Sequence, residues 1–345
     1  IEIKKTTLQS GNDVVLAMAN NNGDIGYLGF VPMFIAVTNN IPMTLVAASE
    51  VEGVGQADNW QNILVKGNSS IRSSRDLAGK TIAVNALKGV GEVMIKAALE
   101  KQGVRPNSFR LTAIPFPQMR SALNNGQVDA IWVPEPFLSQ GLNIDHARIV
   151  MAPGPVLGRY WPIGGYAARQ SWRSRNPALA DRFRRAINRS LTYAQTHPDE
   201  IRAMLPAGTQ NSRLPIWSPV IDRGKLSQLA AYSRKYGVIT RAPNLSQLVP
   251  NSIASGLVLQ GTVQARRLLL RHEGRPVTRL TVGPYTFVVT DNLRNRNFVL
   301  KGPGVNRSTS LRGRGRSTWT VNLRRGTYRY WSASTPGAKK SFRVA

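Results

Sequence analysis

One structural phrase occurs twice in this chain. Apolar Val14 to Ala19 runs into Asn20-Asn21-Asn22-Gly23 and then into Asp24-Ile25-Gly26-Tyr27-Leu28. Met119 to Leu123 runs into Asn124-Asn125-Gly126 and then into Asp129-Ala130-Ile131-Trp132-Val133. Each reads as helix, stop and Asp-led strand, because Asn and Gly tolerate the left-handed backbone that ends a helix. Aligning Asp24 with Asp129 sets the copies 105 residues apart and pairs Asn21 with Gly126 and Tyr27 with Trp132. A unit repeated once at that distance predicts two lobes built alike. A solenoid needs shorter and more numerous repeats.

The flanking segments fill in the two lobes. Ser10 or Asn12 can cap the first helix, and Gly29-Phe30 leads into a helix over Pro32 to Val37. Ile41 to Ala48 and Asn62 to Lys66 read as strands. Asp76 to Val84 reads as a turn and a buried strand. Asn85-Ala86-Leu87-Lys88-Gly89-Val90-Gly91-Glu92 then opens a helix whose apolar Val90, Met94, Ala97 and Ala98 share a face, with Gly103 as its stop. Strand, Gly-rich loop and helix in that order offer backbone N–H groups to an anion, although the stretch is neither a Walker A loop nor GxGxxG. Pro134-Glu135-Pro136-Phe137 turns into a short helix. Pro177 starts a long amphipathic one with Leu179, Phe183, Ile187 and Leu191 on a structural face. The uncharged stretch Ile25 to Ser49 is long enough to span a bilayer, but Pro32, Thr38-Asn39-Asn40 and Pro42 break it into strand, helix and strand.

After about Pro250 the texture changes. Arg266–Arg271, Pro276–Val282, Tyr285–Thr290, Asn297–Lys301, Thr318–Leu323 and Thr327–Trp331 are short strand candidates. Gly302-Pro303-Gly304, Arg325-Gly326 and Thr335-Pro336-Gly337 are read as turns. That spacing predicts a small β-sandwich. The charge is concentrated here too. The 345 residues carry 46 Lys and Arg against 18 Asp and Glu, a net +28, and from Val258 onward the count is 18 against only Glu273 and Asp291. Such an excess attracts anionic polymers, whether nucleic acid, cell-wall polymer or lipid headgroups. The alternative is an Arg-rich organism that decorates its surfaces with arginine. No basic-region heptad, zinc finger or RNP signature accompanies the charge, so nucleic acid is not the expected partner. Arg312 to Arg316 is a single short RG tract, read as a loop.

Chemistry is bounded by what is missing. With no Cys, the chain has no disulfide, thiolate-held metal, iron–sulfur cluster or thiol nucleophile. His146, His197 and His272 lie far apart with no metal-ligand spacing. No catalytic residue, metal or cofactor is expected.

Five segments together resemble the solute-binding proteins of ABC importers for nitrate, sulfonate, taurine and thiamine-pyrimidine precursors, the NMT-like family. They are Ser10-Gly11-Asn12, Asp24 to Gly29, Ser74 to Lys80, Asn125 to Ala130 and Pro134 to Phe137, in that order and at family spacing across residues 1 to about 250. The resemblance implies a type II, two-lobed α/β periplasmic-binding-protein-like fold. Lobe 1 would be 1–73 and 161–250 and lobe 2 would be 74–160, with crossovers near Lys66–Ser73 and Ala152–Gly165. The family's usual first strand and helix would lie ahead of Ile1. The function implied is non-catalytic capture of a small solute for an ABC permease in the membrane, by a protein exported to the periplasm or cell surface and open to a lipid anchor. An enzyme on the same fold, of the pyrimidine-synthase or dehydratase type, is the alternative, although the synthases' Cys-rich motif is not present. A basic envelope protein that has lost solute binding is another.

Residues 258–345 resemble a cupredoxin-like domain through Tyr285 to Asp291, Asn297-Phe298, Gly302 to Asn306, Thr318 to Val321 and Gly326 to Tyr330. By that resemblance the type 1 copper ligands would fall at Arg296, Trp331, near Ser334 and within Gly337–Ser341. None of these is His, Cys or Met, so the domain is expected to be metal-free and to serve attachment, for instance to anionic envelope polymers, or contact with a partner.

The resemblance also places a solute cleft. Its walls would be the helix openings Ser10, Gly11 and Asn12, Gly29 and Phe30, and Asn85 with Lys88, Gly89, Val90 and Gly91. Trp132, Tyr160 and Trp161 would be its aromatic surfaces; the plainer reading of all three is core or surface aromatics. Glu135 would contact an amine there, or else cap the helix after Pro136 or pair with an Arg. Lys88 would favour a sulfonate or carboxylate, or else be a solvated lysine.

Overall fold

Residues 3–53, 55–56, 59–250, 253–255, 257–264, 267–272, 275–280, 283–291, 293–312 and 315–345 are described in a computed structural model of the chain. The chain divides into two units, Ile1–Pro219 with Lys225–Pro250, and Val220–Gly224 with Asn251–Ala345.

The first unit opens with α1 (Gly11–Ala19), β1 (Ile25–Gly29), α2 (Phe30–Thr38), β2 (Met43–Ala48), β3 (Glu50–Val51) and β4 (Gln61–Val65). A 3-10 turn, Ser74–Leu77, precedes β5 (Thr81–Val84), α3 (Val90–Lys101), β6 (Arg110–Ala113), α4 (Phe116–Asn124), β7 (Ala130–Pro134), α5 (Phe137–Asn143) and β8 (Arg148–Met151). The return comprises α6 (Pro153–Leu157), β9 (Gly164–Arg169), α7 (Gln170–Arg175), α8 (Pro177–Thr196), α9 (Pro198–Ala203) and β10 (Ile216–Trp217). Then come α10 (Arg223–Lys235) and α11 (Leu245–Leu248).

The repeat holds to the residue: moving α1 and β1 along by 105 gives α4 and β7, end for end. Both stops are left-handed, Asn21 at φ 63° and Gly126 at φ 73°. The copies lie in different sheets. The first sheet has order β1-β9-β2, and the second has order β6-β5-β7-β4-β8. In the second sheet β5 runs parallel to β6 and β7, while β4 runs antiparallel to β7 and β8.

That topology corrects the first crossover. β4 is buried at all five positions, and Leu64 packs with Ala83, Ile131, Val133 and Leu138 in the second sheet's core. The chain has therefore crossed before Gln61, ahead of the expected Lys66–Ser73, and residues 61–73 belong with the second sheet. The return falls between β8, which ends at Met151, and β9, which begins at Gly164. The 3-10 turn is fixed locally, since the Asp76 carboxylate accepts from Arg72 N and Ser73 N, each at 2.8 Å. On α8, Phe183 packs against a cluster of Val46, Ala168, Trp172 and Ala180, as its apolar face predicts.

The second unit is all-β. β11 (Ile221–Asp222) pairs in parallel with β12 (Ala254–Ser255). One five-stranded sheet contains β13 (Leu257–Val263), β14 (Leu268–His272), β15 (Arg275–Pro276), β17 (Gly283–Asp291) and β20 (Gly315–Leu323), in the order β15-β14-β13-β17-β20. The other contains β16 (Arg279–Leu280), β18 (Val299–Gly302), β19 (Val305–Ser308), β21 (Gly326–Ser332) and β22 (Thr335–Val344), in the order β16-β22-β21-β18-β19. Leu259, Phe287 and Val289 of the first sheet and Leu300, Tyr328 and Phe342 of the second share one core.

The structure changes the reading of this unit in three ways. The unit takes in β11 and β12, upstream of Val258. Three strands, β13, β19 and β22, go beyond the sequence candidates. Thr335-Pro336-Gly337 is not a turn but the start of β22; the reversal is at Ala333-Ser334, where the Asn297 carboxamide oxygen accepts from Ala333 N at 2.7 Å. Arg266, Thr281 and Val282 of the strand candidates and Gly313-Arg314 of the RG tract lie outside the described residues. Among the described residues no helix is long and apolar enough to cross a membrane.

Candidate functional site

Three helix openings in the first unit meet one another. Ser10, in extended conformation, caps α1: its Oγ accepts from Asp13 N at 3.3 Å. Gly11 packs so closely on Pro32 that an added Cβ would sit 2.9 Å from the proline ring, which sets α1 against α2. Asn12 reaches the loop before α3, donating from Nδ2 to Leu87 O at 3.3 Å. Gly29 caps α2 with no side chain, and a Cβ there would lie 2.5 Å from Val90 at the start of α3. Phe30 N donates to Ile163 O at 3.0 Å, which ties α2 to the return segment.

Gly89 caps α3, again without a side chain. Lys88 before it is held left-handed at φ 55°, and its N–H donates to Glu92 at 2.7 Å. Glu92 is also paired with Lys96 at 2.6 Å. A non-glycine residue in that region marks a backbone constrained by its surroundings. The Lys88 side chain is exposed, and Asn85 is half-buried.

Gly91, one residue into α3, lies flat on Trp132 of β7, where a Cβ would meet the indole at 2.6 Å. Trp132 is 4% exposed and tilts against Phe116 at 6.1 Å between centroids. Its indole Nε1 is buried with no hydrogen-bond partner. Trp161, on the return crossover, is wholly buried and has an orphaned Nε1 as well. Tyr160 beside it is left-handed at φ 56°, with the Lys225 ammonium 5.9 Å from its ring centroid. Thus residues 11–12, 29–30, 87–91 and 132 form one contiguous set. Tyr160 and Trp161 join it through the segment that carries Ile163.

Glu135 is occupied otherwise. Its carboxylate accepts from Ser139 N at 2.9 Å and Ser139 Oγ at 3.0 Å, and from Ser212 Oγ at 3.1 Å and Arg213 N at 3.0 Å. Four donors fill the four lone-pair directions of a carboxylate. Glu135 therefore holds the first turn of α5 and clasps the 212–213 segment to it.

Sequence reasoning missed a buried acidic group on the outgoing crossover. Glu50 accepts from the hydroxyls of Tyr27 and Ser49. Tyr27 keeps 43% of its surface exposed, but its hydroxyl is buried against Glu50. Burial raises the Glu50 carboxyl above the usual range against the pull of those hydroxyls, and raises the Tyr27 phenol well above its own. Glu52 is completely buried, both of its oxygens are orphaned, and burial pushes its carboxyl well up. The signal was available: two acids at i and i+2, directly after an apolar strand, in a chain with only 18.

Comparison with known proteins bears on the family and the fold. The NMT1/THI5 like family model matches residues 1–201. The taurine-binding periplasmic protein of Escherichia coli (strain K12) is 28% identical over 127 residues, 36% of this chain and 37% of that one. The putative aliphatic sulfonates-binding protein of Bacillus subtilis (strain 168) is 27% identical over 200 residues, 58% of each. The chain thus spans little more than a third of the first relative and under three fifths of the second. The crystal structure of the periplasmic aliphatic sulphonate binding protein of Escherichia coli superposes with a TM-score of 0.59 at 18% identity, over 71% of this chain and 86% of that one. The fold of the first unit is therefore that of the periplasmic binding proteins, and with more than half of its length matched, the chain belongs to the NMT1/THI5-like family.

Proposed function

We propose that the first unit is a non-catalytic, extracytoplasmic receptor that captures a small sulfonate, taurine-like or nitrate-like solute and hands it to an ABC permease. The observation that carries this reading is Trp132, a buried indole N–H without an acceptor, seated against the glycine-capped start of α3. An orphaned buried donor is costly, and an anionic oxygen relieves that cost. The α1, α2 and α3 starts converge on the same place, and the first N–H groups of a helix have no partner within it. Each helix terminus contributes only about 0.3–1 kcal/mol, whereas micromolar affinity needs about 8 kcal/mol. Desolvation of the solute itself, and of the polar groups that meet it beside Trp132, Tyr160 and Trp161, must supply much of the remainder. Closure of two lobes over the solute follows from contacts that only the closed state provides.

Titration calorimetry with taurine, an alkanesulfonate and nitrate tests the reading. Trp132→Ala should weaken binding more than Lys88→Ala, and Trp132→Phe, which keeps the ring and loses the donor, should fall between native and Trp132→Ala. A larger loss for Lys88→Ala would mean that charge attraction, not desolvation, governs affinity. No heat with any of the three solutes would overturn the reading.

The second unit we read as a cupredoxin-like sandwich that holds no copper. By the cupredoxin resemblance Trp331 falls at the thiolate position, and the Lys339 ammonium lies 5.2 Å from its ring centroid, a cation where a copper site would need a thiolate. Elemental analysis after incubation with Cu(II) should show no stoichiometric copper and no charge-transfer band of the blue-copper kind.

A further inference from the structure

No Asp or Glu follows Asp291, while 13 Lys and Arg do. The sheet β16-β22-β21-β18-β19 sorts part of that charge onto one side. Leu280, Leu300, Tyr328, Tyr330, Phe342 and Val344 point inward to the core. Alternation along the strands then turns Arg279, Lys301, Arg329, Lys339 and Arg343 outward, and all five are exposed.

Register makes the arrangement sharper. Arg279 lies directly across from Arg343, which lies across from Thr327. In the next row Ser341 faces Arg329, Arg329 faces Lys301, and Lys301 faces Asn306. Two cation pairs therefore stand opposite one another on neighbouring strands, an arrangement that destabilises a sheet. The remaining positions in these rows are hydroxyls and a carboxamide. No Asp or Glu is present on any of the five strands to neutralise them.

We propose that this outer face docks on a membrane surface rich in anionic phosphate headgroups. Five strands at about 4.8 Å spacing give a patch roughly 20 Å wide. It is an open sheet face with charges in rows, which suits a planar array of phosphates better than a single strand lying in a groove. Trp331 is the one aromatic in the outward rows, and Lys339 already lies over it, so no free ring is offered to stack a nucleic-acid base. Among the described residues, large exposed apolar side chains are also missing from the outward rows, so the contact is adhesion without insertion. Lys and Arg beside an anionic leaflet act additively and within a Debye length, so attachment is graded by salt.

The test uses the full chain with no solute added. Co-sedimentation is measured with vesicles of phosphatidylcholine alone and with about a third phosphatidylglycerol. Binding should require phosphatidylglycerol and fall at least tenfold as salt rises from about 0.05 to 0.5 M. The triple variant Lys301→Gln, Arg329→Gln, Arg343→Gln should lose at least tenfold in partitioning. Arg182→Gln, Arg185→Gln, Arg189→Gln removes the same charge from α8 and should lose less than threefold. All six side chains are exposed, apart from the core. Equal losses in the two triples would reduce the effect to net charge and overturn the proposal. So would vesicle binding that ignores salt or phosphatidylglycerol, or tighter binding to duplex DNA or to soluble poly(glycerol phosphate) at equal phosphate concentration.

Discussion

Glu52 carries a completely buried carboxyl with no well-formed hydrogen bond among the described residues, and the nearby Asn59 side chain only partly offsets its burial. Its folded form holds the proton more tightly than the unfolded chain, whose Glu titrates near about 4.3. Folded protein therefore binds more protons than unfolded protein above that value, and stability falls as pH climbs from the ordinary glutamate range toward the raised one. Glu52→Gln should flatten that fall and add on the order of 1–3 kcal/mol at neutral pH; denaturant melts at a series of pH values would show it. At Gly91 the expectation is the opposite. Gly91→Ala drives a methyl into the Trp132 indole and should cost about 1–3 kcal/mol, with weaker solute binding by calorimetry. The positions of the glycines and of Trp132 were legible in the sequence because local pattern locates the helix starts and the Asp-led strand in which they sit. Glu135 illustrates the limit: Ser212 and Arg213, which engage its carboxylate, lie 77 and 78 residues away. Nothing local announces such partners.

Single elements show the same division. α1, β1, α4 and β7 were readable from a short window, since apolar run, left-handed stop and Asp-led strand are all local chemistry. Where β4 belongs was not, because a buried strand joins whichever sheet offers partners, and those partners, β7 and β8, come 67 to 88 residues later. β13 likewise pairs in parallel with β17 across a crossover that no turn residue signals. Within β21, Tyr328 is wholly buried and its hydroxyl closes a corner. It accepts from Arg324 N at 2.9 Å and donates to Pro303 O at 2.9 Å. Tyr328→Phe keeps the ring stacked on Phe342 but strands both backbone groups. It should lower the second unit's stability by about 1–3 kcal/mol in chemical denaturation, with the first unit's transition unmoved.

For the whole molecule, two units with separate cores predict two calorimetric transitions. A bound solute should raise only the first unit's, by about 2.7 kcal/mol at a hundredfold excess over Kd. A single transition, or equal shifts in both, would mean that the units unfold as one. Membership along the chain has a further consequence. Val220–Gly224 belongs to the second unit although Lys225–Pro250 returns to the first, and β11 finds its partner β12 only at Ala254. The β-unit is thus stitched in, not hung on as a tail. Cutting the gene where composition changes, near Val258, would leave both β11 and β12 in the first piece, cut off from the rest of the unit they belong to. One protease nick between 225 and 250 would leave residues of both units on each side. A stop codon after Pro250 could not remove the unit whole, because its first stitch lies inside the first unit's own return path.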